Sequence, residues 1–397
     1  MTITKKKEKA LAIVPRMPYP LNSGGRIAIY DALNLLSTKY TLIIVIIDDD
    51  KNNVKYVDDI KAFAEEVYFF SFNKYRCYFN SVVGLLKGKP LQVSFFYFSK
   101  VQKLVNELST SCDFFYAFMI RTTSYGIKLN LKKGHYAIDS MYLNYKKSEQ
   151  NAISKIWKLI YKIELPLLYK YEKEQIEGYD LTTFVNRDEA AFWKNNGSVF
   201  TLPHGVKVEI LNYLKFDNRY QNIVSFIGRM DYQPNIDAVV WFCNNVFKYL
   251  DTKIEFWIIG GYATPEIQKI AKQYMNIKIL GFIQDPYIIL RSCICTIAPM
   301  QTGGGLQTKI LMAMAVESLV ITTSLPVKAI EDAKNWVNMI IEDEPKKFAE
   351  IINDAYNNPF KYQSIKVAAK KLILKVYSLD VIEEKLFDLI DNHLIGK

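Results

Sequence analysis

The sequence predicts an α/β protein made of two Rossmann-like, doubly wound domains facing each other across a cleft. Three observations carry that expectation. Short apolar runs recur along the 397 residues, with helical stretches between them. Several runs are continuously apolar, as strands covered on both faces of a parallel sheet must be. They are also too many for one compact sheet, and the length suits two or three separate cores.

Taken in order, the first domain has strand-like runs at residues 11–14, 41–47, 67–72, 114–118, 136–138 and 181–185. After the first run comes Pro18-Tyr19-Pro20-Leu21-Asn22-Ser23-Gly24-Gly25-Arg26, with a helix expected from near Ile27. Gly25 there allows close backbone approach to a ligand. Asp139 follows the run at 136–138, where cleft residues of such a sheet belong, although a helix or turn cap would also use an Asp. Tyr142 lies just beyond it and suits either the acceptor side or packing. The pattern breaks at 201–222, where Pro203 and Gly205 stand. The expected domains are therefore 1–204 and 205–378, with a closing helix at 379–397 that packs back on the first. His204 sits at the expected hinge, as an acceptor-side residue or a half-buried linker histidine.

The second domain has runs at 223–227, 255–259, 277–280, 294–298 and 319–322. Three of them end in glycine. Gly228-Arg229 follows the first, Gly260-Gly261 the second, and Gln301-Thr302-Gly303-Gly304-Gly305-Leu306-Gln307-Thr308-Lys309 the fourth. Open α/β sheets bind ligands at the carboxyl ends of strands, so these loops can converge on one crevice. Gly303, Gly304 and Gly305 let the backbone turn its N–H groups toward an anion, and the following helix adds partial positive charge. Lys309, in that helix's first turn, would reach the same anion. Arg229 would clamp a diphosphate through its planar fork, although alone it also reads as a surface arginine.

Composition bounds the partners. The net charge of +10 favours anions. The chain lacks zinc-finger spacing and any concentrated arginine patch, which argues against nucleic acid. Five scattered cysteines and three histidines make neither a disulfide framework nor a metal cluster. No apolar run reaches the roughly 20 residues that span a bilayer. Residues 1–9 are basic, but a strand-like run follows rather than a signal-peptide cleavage site. The expected place is the cytoplasm, with peripheral contact on the inner face of the plasma membrane. Residues 151–173 would make that contact. Ile153, Ile156, Trp157 and Ile160 fall on one helical face, and Lys155, Lys158 and Lys162 on the other. A helix packing its apolar face on the sheet has the same pattern.

Several segments, in order, resemble the family 4 glycosyltransferases, whose fold is called GT-B, and in particular bacterial enzymes that assemble surface polysaccharides. "FIGRMDYQPNIDAVVWF" is similar to the segment after the first strand of their second domain, and "APMQTGGGLQTKILMAMA" to their donor-binding loop and helix. "PYPLNSGGRIAIYDAL", "KPLQVSFFYFS", "IDSMYLNY" and "LPHGV" resemble first-domain and interdomain segments. The resemblance implies a retaining transferase without a cofactor or metal, using a nucleotide-diphosphate sugar as co-substrate and a glycan or lipid-linked acceptor. It implies donor contacts from Gly25, Gly228, Gly261, Gly303, Gly304, Gly305, Leu306, Gln307, Thr308 and position 312. Arg229, Lys309 and Asp139 are the implied catalytic residues.

The family's motif carries two glutamates, which fall here at Gly304 and Met312. Methionine cannot accept the ribose hydrogen bonds that the second glutamate accepts. Such a bond contributes about 1.5–3 kcal/mol, so affinity would fall by about one to two orders of magnitude. The alternative is an impaired copy that serves as a partner or scaffold for another transferase. A sugar-nucleotide epimerase on the same fold is a third expectation.

Overall fold

The computed structural model describes residues 7–21, 24–151, 155–303 and 305–396. The chain divides into two compact units, one of residues 1–202 with 383–397 and one of residues 203–382.

The first unit is built on a seven-stranded parallel sheet. Its strands are β1 (Lys9–Pro15), β2 (Thr41–Asp48), β3 (Glu66–Ser71), β4 (Phe114–Phe118), β5 (Lys132–Ile138), β6 (Leu181–Phe184) and β7 (Val199–Thr201). They lie in the order β3-β2-β1-β4-β5-β6-β7. The runs in β1, β2 and β4 are buried along nearly their whole length, which is why they are apolar without alternation. Parallel neighbours need crossovers, and helices supply them. The helices that matter below are α1 (Gly24–Lys39), α2 (Lys74–Leu86), α3 (Leu91–Phe95), α4 (Ser99–Ser109), α5 (Met141–Asn151), α6 (Lys155–Gly178) and α7 (Arg187–Trp193). The strand order changes direction at β1, so the unit's switch point lies between the carboxyl ends of β1 and β4.

The second unit repeats the plan with six parallel strands. They are β8 (Ile223–Ile227), β9 (Glu255–Ile259), β10 (Ile277–Gly281), β11 (Cys295–Ala298), β12 (Val320–Thr322) and β13 (Ile340–Ile341), in the order β10-β9-β8-β11-β12-β13. Its switch point lies between β8 and β11. Helix α8 (Gln233–Trp241) follows β8, and α9 (Thr308–Ala315) follows β11. Phe226, Phe242 and Phe256 centre one apolar cluster, and Ile310, Leu311 and Met314 belong to another.

Two strands, β7 and β13, are absent from the sequence expectation. Both are edge strands of three and two residues, too short for their patterns to stand out. Helix α1 starts at Gly24, so Gly25 belongs to its first turn rather than to a preceding loop; Asn22 and Ser23 lie outside the described residues. Helix α6 continues past Pro166. Its Ile156, Trp157, Leu159 and Ile163 are exposed, as are Lys158 and Lys162, while Ile160 is half-buried. Ile153 and the side chain of Lys155 lie outside what is described. Among the described residues no helix is long and apolar enough to cross a membrane.

The last helix, α10 (Leu379–Ile390), begins in the second unit and ends in the first. At its start, the Leu379 N–H donates to Val206 O, and a Cβ on Gly205 would stand 2.9 Å from Leu379 Cα. At its end, Asp391 takes Lys39 Nζ at 2.6 Å and Tyr40 Oη at 3.0 Å. Leu394 just beyond it would stand 2.9 Å from a Cβ on Gly134 of β5, so that strand position needs a glycine.

Candidate functional site

In the second unit, the glycine loops meet at the carboxyl ends of β8, β9 and β11. The Gly228 N–H donates to Ile259 O at 2.9 Å, and the Met230 N–H to Gly261 O at 2.9 Å. Gly260 has φ 141°, and a Cβ there would stand 1.8 Å from Gly228 O. Only glycine lets the two strand ends come this close. Gly261 faces open space. The third loop is held from the other side. Thr302 Oγ1 donates to Asp237 Oδ2 of α8 at 2.5 Å, and Gln233 Nε2 fixes the other oxygen at 2.7 Å. Gly303, at φ 88°, would place a Cβ 3.0 Å from the Pro234 ring. Gly305, at φ 87°, faces open space. Gly304 lies outside the described residues. Leu306 packs on the apolar cluster beneath, Gln307 precedes α9, and Thr308 opens it.

Lys309 is the residue these loops cover. It is 9% exposed. Its Nζ donates to Asn235 Oδ1 at 2.5 Å, lies 3.8 Å from Met300 Sδ, and stands 4.3 Å from the Phe226 ring centroid. Asn235 Nδ2 in turn donates to Arg229 O at 2.8 Å. A Cβ on Gly228 would come within 3.3 Å of Nζ, so the amine lies directly under that loop. None of these contacts is a carboxylate. Burial pushes the Lys309 pKa down to about 7. The sequence places this lysine beside the anion; the structure stores it beneath the loop that would hold one.

Arg229 is on the rim. Its guanidinium forks onto Asp231 at 2.6 and 3.0 Å and lies 5.3 Å from the Tyr262 ring centroid. Met312, one turn past Lys309, is half-buried against the same cluster as Leu306. Glu317 does not stand in for the missing glutamate. It is tied to Lys370 at 3.1 Å and Arg291 at 3.7 Å. Gly260 and Asn235 stand in the segments the sequence marks, but neither is given a role there. The signal for Gly260 is the glycine pair after a strand; for Asn235 it is only a place in the segment after β8.

The first unit concentrates strain at its own strand ends. Arg16, Met119 and Ile138 have φ of 73°, 61° and 64°, at the carboxyl ends of the adjacent strands β1, β4 and β5. Each costs about 1–3 kcal/mol for a residue with a side chain, and such strain collects at functional sites. The guanidinium carbons of Arg16 and Arg121 stand 5.5 and 5.8 Å from the Phe96 ring centroid. Arg16 Nε donates to Asp49 at 2.9 Å, and Arg121 Nε to Gln92 Oε1 at 2.9 Å. Gln92 Nε2 donates to Tyr145 Oη. Burial, and then the Arg16 charge, lower the Arg121 pKa.

Asp139 joins this group. Its Oδ2 accepts from Asn144 Nδ2 at 2.6 Å, and its Oδ1 is buried with no hydrogen-bond partner among the described residues. Burial raises its pKa, opposed by the Arg121 charge. Tyr142 sits in an aromatic cluster with Tyr169, Phe192 and Trp193. Gly25 is exposed in α1, and His204 is half-buried in the first segment of the second unit. Among the described residues no His, Cys, Asp and Glu group has metal-holding geometry.

Beside Asp139, Ser140 binds two buried glutamates. Its N–H donates to Glu189 at 2.7 Å and its Oγ to Glu172 at 2.6 Å, while Trp193 Nε1 donates to Oγ at 3.1 Å. Burial raises both glutamates to about 7. Between their ordinary pKa of 4.5 and about 7, the folded unit therefore holds protons that the unfolded chain has lost. Stability of the first unit should fall as pH rises through that window. Glu189→Gln is expected to flatten the decline, and thermal unfolding against pH checks it.

Residues 221–358 match the family model described as "Glycosyl transferases group 1". The chain is 26% identical over 372 residues to an uncharacterized 44.6 kDa protein in the cps region of Klebsiella pneumoniae, covering 88% of this chain and 91% of that one. A glycosyltransferase from Rickettsia africae ESF-5 superposes with a TM-score of 0.68, at 14% identity, over 99% of this chain and 100% of the other. HepE of Anabaena, crystallised with UDP and glucose, gives 0.67 at 13% identity over 97% and 100%. Identity at this level carries the fold, which is GT-B. Family match and fold together support a glycosyltransferase.

Proposed function

We propose that this chain is a retaining, metal-independent glycosyltransferase of the family 4 kind. It moves a sugar from a nucleotide diphosphate to a glycan or lipid-linked acceptor in cell-surface polysaccharide assembly. The observation that carries the reading is the junction of three glycine loops over a buried Lys309 whose contacts include no carboxylate, at the β8/β11 switch point. The cps-region relative supports the polysaccharide role. The UDP and glucose held by HepE support a nucleotide sugar as donor.

In this reading the loop amides at 303–305 and the Lys309 ammonium take the diphosphate, and Arg229 turns from Asp231 to join them. The acceptor oxygen bonds to the anomeric carbon on the face the diphosphate leaves. The bond from that carbon to the phosphate oxygen breaks, and the acceptor's proton passes to the departing phosphate oxygen. The chain's share is electrostatic: it neutralises the charge that grows on the leaving group and holds both partners in place. Within the first unit, Asp139 and the Arg16–Arg121 group are the residues whose chemistry suits an acceptor.

Calorimetric titration with UDP, GDP, ADP and TDP tests the donor site; no binding at millimolar concentration would overturn it. Met312→Glu is expected to tighten the preferred nucleotide by about tenfold to a hundredfold, because it restores a charged acceptor for the ribose hydroxyls. Unchanged affinity would show that another residue already does this. Measurable sugar transfer by the parent protein would dismiss the scaffold reading.

A further inference from the structure

Helix α2 presents its apolar face outward. Tyr75, Tyr78, Phe79, Val82 and Leu86 recur at the spacing of one helical stripe, and all are exposed, Tyr75 by 83% and Leu86 by 84%. The side facing the protein is made of Cys77, Ser81 and Gly84. A Cβ on Gly84 would stand 1.9 Å from Ser94 Oγ, so α2 lies tightly on α3 through small residues. Arg76 and Lys87 flank the stripe on one side and Lys74 on the other, at the positions from which cations reach an interface. Between Glu66 and Glu107 the chain carries Lys74, Arg76, Lys87, Lys89, Lys100 and Lys103 and no carboxylate.

Two cavities of about 290 and 790 Å³ open at the end of this helix, and share Lys87, Lys89, Tyr97, Ser124 and Tyr171. Arg76 lines the smaller one; Lys128 and Lys170 line the larger. Glu174 is the single carboxylate among their described lining residues, with Lys170 3.9 Å away. Ser94 in one cavity and Gln175 in the other are 6% and 5% exposed. Ser94 Oγ and Gln175 Oε1 have no hydrogen-bond partner among the described residues. None of these lining residues belongs to the strand-end group around Arg121.

We infer that the first unit docks on an anionic bilayer through α2, with the phosphate of a lipid headgroup seated in the basic cavity at the helix's end. The stripe supplies apolar area for the acyl boundary, and the flanking cations meet the negative surface. Arg76 and Lys87 belong to both features, which is why one ligand with an apolar tail and a phosphate head fits better than either part alone. The inference holds whether or not the second unit takes a nucleotide sugar, and it differs from a contact through 151–173.

Flotation of the full chain with vesicles tests it. Phosphatidylcholine vesicles are compared with ones containing equal parts phosphatidylglycerol. The protein is expected to float with the mixed vesicles and to stay behind with the neutral ones. Phe79→Asp combined with Leu86→Asp should lower the partition at least about tenfold, since two large apolar side chains no longer bury. Lys87→Glu with Lys89→Glu should do the same. All four positions are exposed, and circular dichroism checks that the variants fold. Soluble glycerol 3-phosphate is expected not to release the protein; release would assign the cavity to a free phosphate and overturn the lipid assignment. Failure to float, equal flotation with neutral vesicles, unchanged partition of the variants, or a dimer that Phe79→Asp dissolves would also overturn it.

Discussion

Lys309→Met is expected to make the protein more stable and to abolish its hold on a nucleoside diphosphate. The two effects have one cause. Lys309 Nζ is buried among Phe226, Met300 and Asn235, with no carboxylate in contact. An amine so placed loses its hydration and gains one hydrogen bond. Methionine fills the same length and suits the ring and the neighbouring thioether. Asn235 Oδ1 loses its donor, which offsets part of the gain, leaving about 1 kcal/mol or less of net stabilisation. Donor affinity should fall at least about tenfold to a hundredfold, because a charged hydrogen bond to phosphate is gone.

pH gives an independent check. Burial holds the Lys309 pKa at about 7, against 10.5 in the unfolded chain. Between those values the unfolded chain binds a proton that the folded one does not. Stability should therefore rise with pH across that window, and the methionine variant should lack the rise. Binding of a diphosphate favours the ammonium, so affinity of the parent should fall as pH climbs above about 7, with proton uptake on binding. Calorimetry in buffers of different ionisation heat measures that uptake directly. A variant that binds as tightly as the parent would remove Lys309 from the site.

Gly260→Ala should be the most damaging single methyl group in the second unit. Its φ of 141° is closed to side chains, and the added carbon would stand 1.8 Å from Gly228 O. That oxygen is backbone, and it moves only if the ends of β8 and β9 part. The expected loss is about 3 kcal/mol or more. Since Gly228 also lies over Lys309, nucleotide binding should weaken in the fraction that still folds. Gly261→Ala is the control. Its Cβ would meet nothing within 4 Å, and the expected cost is within about 0.5 kcal/mol. Denaturant unfolding of both variants, followed by nucleotide titration, separates the two effects. Equal stability of the two would show that the strand ends are not fixed as described.

The fold was readable because buried parallel strands have to be apolar throughout. Runs such as Thr41–Asp48 declare themselves. Where that demand weakens, so does the signal. β5 begins at Lys132, well before the apolar part at 136–138, and the edge strands β7 and β13 are too brief to register. The glycines of the site were legible because few other residues turn a chain that way. Its environment was not. Lys309 reads from the sequence as a cation reaching a loop-bound anion; its burial depends on Phe226 and Met300, each brought in from another strand's end. The strain at Arg16, Met119 and Ile138 left no trace, since none is a glycine. In α2 the periodicity announces a face without saying where it points, and here it points away from the core.

The closing helix has a consequence for how the chain is made. The first unit comprises residues 1–202 and also 383–397, whose Asp391 and Leu394 fasten Lys39, Tyr40 and the β5 glycine. A ribosome therefore releases the first lobe's opening two hundred residues long before it delivers their final piece. Until residues 383–397 have been made, that lobe must wait with a side uncovered, while the second can finish within one uninterrupted stretch. An expression fragment stopped after Leu202 would keep that gap permanently, and joining residues 383–397 to it through a short flexible tether is the way to produce the lobe alone.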